Sequence, residues 1–373
     1  MRRFIGAAME PLLNNSLLED EFNQLALELY PMQRQANPVY RAWCAARGAA
    51  MKEVRHWSEI PSLPIGAFKE QEVTCLEPTE RCAMFQSSGT TGQTRSRHFH
   101  SESSLALYEA SLDPWFRKHL LPELDAPAGI AGSDAMPVKH VIVLAPEPDA
   151  ARNSSLGHML GTVMRPFQSR LDSTLEVCGR LDAIGGWELS WPKVEEAIRR
   201  ASASGNAVLL LGTAFLFVHL LDELTARGVT WALPRGSRLM ETGGYKGRSR
   251  ALSQEALHDA LSRVLGLSRG GIVCEYGMSE LSSQAYDTRA FAPEAAPRCF
   301  RFPPWARVQV ISPETGRVVQ EGETGMLKVV DLANVASVLA IQTEDLGIRR
   351  GEGFEWVGRA KLSEPRGCSL LSV

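Results

Sequence analysis

Apolar positions along the chain follow two rhythms. From residue 10 to 50, Leu12, Leu13, Leu17, Leu18, Phe22, Leu25 and Leu27 recur at roughly helical spacing among acids. Pro31 and Pro38 are expected to punctuate these helices, with residues 39–50 a second helical piece. Residues 101–121 carry the same amphipathic rhythm. Unbroken apolar runs then predict buried strands at 139–144, 206–211, 238–240 and 272–275. Between and around them, 191–203, 215–227 and 254–265 read as helices. Strands alternating with helices predict a mainly parallel sheet with helices outside, an α/β fold. The 60–69 stretch has Pro61 and Pro64, which exclude a helix interior and predict an extended connector. After residue 298 the texture becomes β-rich. Short strands are expected at 308–311, 326–330 and 337–341, with Gly316, Gly322 and Gly325 marking turns.

Composition narrows the class. Of 373 residues, 44% are apolar and 22% charged, ordinary for a globular protein. Forty basic and 43 acidic residues leave a formal net charge of −3, so no broad field exists to grip nucleic acid. The longest apolar block, 207–221, contains Gly212, Thr213 and His219 and is too short to span a membrane, so no stable membrane insertion is expected. The seven cysteines are scattered with no C-x-x-C pair, which argues against structural zinc and disulfides and fits a cytoplasmic location.

The candidate chemistry begins at Ser87-Ser88-Gly89-Thr90-Thr91-Gly92, followed by Arg95 and Arg97. A Gly-rich run with hydroxyls can present backbone N–H groups to a polyphosphate; a flexible linker has the same composition. It is no Walker A loop, and neither G-x-G-x-x-G after a strand nor G-x-S-x-G occurs. His98 and His100 read more readily as a strand than as a metal pair. Thr242-Gly243-Gly244-Tyr245 leaves a strand as if its backbone approached a flat ligand. Glu275-Tyr276-Gly277-Met278-Ser279-Glu280 combines a ring, a turn, a hydroxyl and a carboxylate. In Thr343-Glu344-Asp345-Leu346-Gly347 a carboxylate is available for a ribose diol, with Gly358-Arg359 downstream. Small residues at 154–161 and 211–215 suggest walls of an acyl pocket, or simply helix starts.

Taken in order, these stretches resemble the motifs of the acyl-adenylate-forming superfamily, most closely its LuxE acyl-protein synthetase branch, related to phenylacetate-CoA ligases. The resemblance covers roughly residues 60–370. It implies a large N-terminal domain of parallel α/β sheets plus a β-rich subdomain. Boundaries are expected at 1–298 for the core with its helical N-terminus, 299–358 for the β-rich part and 359–373 for a hinge-like tail. Relatives carry a C-terminal lid domain with a catalytic lysine; the chain stops at Val373, so a fold lacking the full lid is expected. Lys246, Arg95, Arg97 and Lys361 are candidate replacements for its charge.

The resemblance also implies roles. Ser87, Ser88, Gly89, Thr90, Thr91 and Gly92 would cradle the β- and γ-phosphates of ATP. Gly243 and Gly244 would line the adenine, with Tyr276 against it and Gly277 beside it. Ser279, where relatives carry Thr, would contact the α-phosphate. Glu280 would hold Mg²⁺, and Asp345 the ribose with Arg359. The implied reaction activates a carboxylic acid, fatty by the resemblance, to acyl-AMP with release of pyrophosphate. The acyl group then passes to a thiol: the chain's own Cys368, coenzyme A, a carrier protein or an acyl reductase. A non-catalytic nucleotide-binding homologue is the alternative.

Overall fold

The computed structural model describes residues 1–9, 15–48, 53–87, 94–124, 136–169, 172–183, 185–243, 252–292 and 298–360. The chain opens with three helices, α1 (Arg2–Ala7), α2 (Asn15–Ala36) and α3 (Pro38–Ala46). Pro38 starts α3 behind Asn37, whose side chain accepts from Tyr40 N–H at 3.1 Å. Pro31 behaves otherwise than expected: it lies inside α2 and does not end it. The helix continues because Phe22, Ala26, Tyr30 and Gln33 bury one face across the proline. That packing offsets a penalty of about 3 kcal/mol for proline in a helix interior.

The proline connector is extended only at first. Its β1 (Leu63–Pro64) runs parallel to residues 341–342, and past Gly66 the chain makes one helical turn, α4 (Ala67–Glu70). A hairpin of β2 (Ala83–Gln86) and β3 (Arg97–His100) follows, then α5 (Glu102–Leu120), capped reciprocally by Ser101 and Ser104.

The α/β part is β4 (Val138–Val143), α6 (Ser155–Gln168), β5 (Thr174–Val177), β6 (Gly179–Leu181), β7 (Trp187–Leu189), α7 (Trp191–Ser204), β8 (Ala207–Thr213), α8 (Ala214–Arg227), β9 (Arg238–Thr242), α9 (Gln254–Leu265), β10 (Ile272–Tyr276) and β11 (Ala285–Tyr286). Six of these strands form one sheet in the order β11-β10-β9-β8-β4-β5; only β11 is antiparallel. The expected parallel sheet is therefore present. Its edge strands β5 and β11 escaped the sequence reading, because one is only half-buried and the other has two residues. The apolar block at 207–221 divides at Thr213, which ends β8 and caps α8 by accepting from Leu216 N–H at 3.2 Å.

A second sheet holds β1, β12 (Ala306–Ile311), β13 (Thr324–Asp331), β14 (Ala340–Arg350) and β15 (Gly353–Arg359), in the order β1-β14-β13-β12 with β15 on β14. Gly316 and Gly322 sit in turns, but Gly325 does not. It lies within β13, where a Cβ would come 2.6 Å from the Ile311 carbonyl oxygen, so the strands can approach only around a glycine. The strand expected at 337–341 begins at Ala340 and runs on to Arg350, because β15 pairs along its far half. Among the described residues no helix is long and apolar enough to cross a membrane.

Candidate active site

Two chain reversals meet at the end of β10. The strand is buried throughout, so alternate side chains leave on opposite faces and both must find partners. Tyr276 points toward the second sheet. Its ring meets Phe354 edge-on at 5.2 Å and Phe302 at 6.2 Å. Its hydroxyl donates to Asp345 Oδ2 at 2.8 Å. Asp345 on β14 faces Arg359 on β15, whose Nε is 3.4 Å from Oδ1. Burial pushes the Asp345 carboxyl up; Tyr276 and Arg359 pull it back down. A carboxylate has about four lone-pair positions, so this one can accept further donors such as a diol. Tyr276, Asp345 and Arg359, separate in sequence, are thus one cluster.

The other side of the turn is built on Ser279. Its carbonyl accepts from His98 Nδ1–H at 2.8 Å, and its hydroxyl donates to Glu280 Oε2 at 3.0 Å. Ser96 Oγ is 3.4 Å from Ser279 Oγ. Ser96 in turn closes the stem of the β2–β3 hairpin: its N–H donates to Ser87 Oγ at 3.0 Å, and Ser87 N–H donates back to Ser96 O at 3.3 Å. The stem of the hairpin at Ser87 and Ser96 is therefore set against Ser279. Ser88, Gly89, Thr90, Thr91 and Gly92 lie outside the described residues, as do Gly244, Lys246, Lys361 and Cys368. Gly243 is described; its φ of +75° suits glycine where β9 ends. At Gly277 a Cβ would lie 2.3 Å from Glu275 Oε1, so a larger residue would have to push this carboxyl aside.

A scaffold that sequence reading missed holds the turn. Asn334 Nδ2 donates to Glu280 O and to Val338 O, each at 2.9 Å. Asp331 accepts from Ser282 N–H at 2.9 Å and Ser283 Oγ at 2.8 Å. Gln33 of α2 donates to Asn334 O at 2.7 Å and accepts from Leu339 N–H at 2.8 Å. Apart from Asn334 and Val338, these partners lie 48 to 306 residues apart and leave no local pattern to find.

Comparison with known proteins decides the class. The family described as acyl-protein synthetase, LuxE, matches residues 190–372. The long-chain-fatty-acid–luciferin-component ligase of Vibrio harveyi is 22% identical over 363 residues, covering 93% of this chain and 86% of that protein. Its Aliivibrio fischeri counterpart is 20% identical over 367 residues, with the same coverage. Over residues 190–372 the chain is thus similar to the LuxE acyl-protein synthetases, and its named relatives are ligases. Solved structures of 2-hydroxyisobutyryl-CoA ligase share the fold. One, in its thioesterification state, has a TM-score of 0.63 and 14% identity, covering 94% of this chain and 70% of that one. An open form gives 0.61 and 12%, covering 90% and 73%.

His98 and His100 are a strand pair on one face, with ring centroids 4.5 Å apart and both rings buried. Burial depresses both, His98 to about 4. Among the described residues no group of three or more His, Cys, Asp or Glu side chains could hold a metal by itself. Mg²⁺ bound through phosphates needs only one or two carboxylates, which Glu280 can supply. The 154–161 segment is a helix start: Ser154 Oγ accepts from Gly157 N–H at 3.0 Å. Arg97 pairs with Glu72 at 3.2 Å, while Arg95 is exposed.

Proposed function

We propose that this ligase activates a carboxylic acid with ATP and passes the acyl group to a thiol. The observation that carries this reading is the turn 276–280. One flank joins Tyr276 to Asp345 and Arg359, and the other joins Ser279 and Glu280 to the Ser87–Ser96 stem. Such a turn can take a nucleoside at one end and its phosphates at the other.

In this reading Asp345 and Arg359 hold the ribose, and Gly243, Gly244, Tyr276 and Gly277 line the base. Ser87, Ser88, Gly89, Thr90, Thr91 and Gly92 cradle the β- and γ-phosphates, and Ser279 meets the α-phosphate. Glu280 would hold Mg²⁺, which neutralises phosphate charge as pyrophosphate departs. A carboxylate oxygen of the acid bonds to the α-phosphorus. The bond from that phosphorus to the bridging oxygen breaks, and pyrophosphate leaves with the electron pair. A thiolate then attacks the carbonyl carbon of the acyl-AMP, AMP leaves, and a thioester remains. Cys368 is the proposed thiol, with coenzyme A, a carrier protein or an acyl reductase as the competing acceptor.

Acid-dependent ATP–pyrophosphate exchange tests the first half. Its absence across a broad acid panel, with the protein folded and binding ATP, rules the reading out in favour of a non-catalytic homologue. For the second half, Cys368→Ser should abolish the covalent acyl-protein and leave exchange intact. A variant that acylates coenzyme A at the wild-type rate would remove Cys368 from the pathway.

A further inference from the structure

Behind the turn, on the face of β10 opposite Tyr276, the carboxyl ends of the strands carry a polar row. Thr213 on β8 pairs in register with Thr242 on β9, Thr242 with Glu275 on β10, and Glu275 with Tyr286 on β11. In-register neighbours point to the same face, so these four side chains stand side by side across four strands. Open α/β sheets bind ligands at this end of their strands. The row is nevertheless sealed from water, with Thr242, Glu275 and Tyr286 only 5%, 4% and 1% exposed. Helix α5 lies over it. His119 stacks on the Tyr286 ring at 4.9 Å, and the Tyr108 hydroxyl lies 3.5 Å from the Gln284 amide nitrogen.

The row is polar without being satisfied. Thr242 Oγ1 donates to Glu275 Oε2. The Tyr286 hydroxyl has no hydrogen-bond partner among the described residues, and burial, with the Glu275 carboxyl nearby, pushes it well above its ordinary value. A buried hydroxyl without a partner and a buried carboxyl are both costly unless something completes them. The row adjoins the turn directly: the Glu275 carboxyl rests where a Cβ on Gly277 would be.

We infer that the row of Thr242, Glu275 and Tyr286, with Tyr108 above it, selects the acid, and that the preferred substrate bears a hydrogen-bond donor, an amine or a hydroxyl, on its carbon chain. This rests on the acid-activation reading. A plain alkyl chain laid here would bury Glu275 and the Tyr286 hydroxyl against hydrocarbon, with neither gaining a partner. A donor on the chain would complete both. Burial already pushes the Glu275 carboxyl up to about 7, the direction that an incoming cationic donor reverses. The two ligases named above are designated for long-chain fatty acids, so the proposal sets this chain apart from them.

The test is ATP–pyrophosphate exchange by the full chain on matched sets of acids: unsubstituted alkanoates, and the same chains with a hydroxyl or an amine at the α, β or ω carbon. Substituted acids should exceed their alkanoates in kcat/KM by at least about tenfold. If amino acids lead, Glu275→Gln should remove most of their advantage while sparing hydroxy acids, because it deletes charge and keeps the shape. If hydroxy acids lead, Tyr286→Phe should be the more damaging change. Retained ATP binding and an unchanged circular dichroism spectrum show that each variant is folded. Alkanoates that match or outrun every substituted acid overturn this inference and leave acid activation standing. Exchange with no acid at all, despite ATP binding, overturns both.

Discussion

The Tyr276 hydroxyl and the Arg359 guanidinium converge on one buried carboxylate, Asp345, and each neighbour loses a partner if it goes. Replacing Asp345 by Ala should weaken ATP binding by at least about tenfold, because hydrogen bonds to a charged group contribute about 1.5–3 kcal/mol. Isothermal titration would show this. Tyr276→Phe keeps the ring against Phe354 and removes only the donor, so its stability loss in urea unfolding should be about 1 kcal/mol. Equal ATP affinity in wild type and Asp345→Ala would remove the carboxylate from the nucleotide site. Tyr276, Ser279 and Asp345 were legible because each stands in a short, chemically distinctive string. Ser96, His98 and Asn334 were not. Ser96 and Asn334 hold Ser279 or Glu280 from sequence-remote segments, and His98 looked like a strand residue, which it is.

At the scale of elements, the loop between β13 and β14 acts as a clamp. Asn334 grips both the Glu280 carbonyl and its own loop at Val338. Asn334→Ala leaves two buried acceptors short of a donor and should cost about 2 kcal/mol or more in urea unfolding. Because the lost grip sits on the turn proposed to meet the phosphates, pyrophosphate exchange should fall further than ATP affinity does. A parallel decline in both would make the loop merely structural. Gly325 gives a contrasting case. A methyl there meets the Ile311 backbone oxygen inside the β12–β13 ladder, so Gly325→Ala should destabilise by about 1–3 kcal/mol. Gly316→Ala, in open space but at a φ of +67°, should lose only about 1 kcal/mol. Residue spacing located β13 but not its first strand residues, since a glycine between strands and a glycine in a close strand contact look alike in one dimension.

Across the whole molecule, buried titratable groups give stability two opposing pH dependences. His98 is neutral in the fold down to about pH 4, while unfolding restores its ordinary value of 6.5. The unfolded chain then binds the extra proton, so the stability present above pH 6.5 is lost as pH falls from 6.5 through 4. Glu275 works the other way. Folded, it holds its proton to about pH 7 against an ordinary value of 4.5, so stability present below 4.5 is lost as pH rises from 4.5 through 7. Removing that carboxyl with Glu275→Gln should therefore shift stability in the variant's favour between pH 4.5 and pH 7, read as the difference in urea midpoints. An unchanged difference would mean that Glu275 ionises normally in the fold.

The sequence by itself determined the alternation of strands and helices, the family resemblance and the strings that carry the candidate chemistry, because periodicity and short motifs are local properties. Tertiary structure decided which way each β10 side chain faces, that Pro31 stays within a helix, and how β14 and β15 set Arg359 beside Asp345. It also aligned Thr242, Glu275 and Tyr286 into one row. Those outcomes depend on register and packing between segments far apart in the chain, where a shift of one residue would turn each side chain to the opposite face.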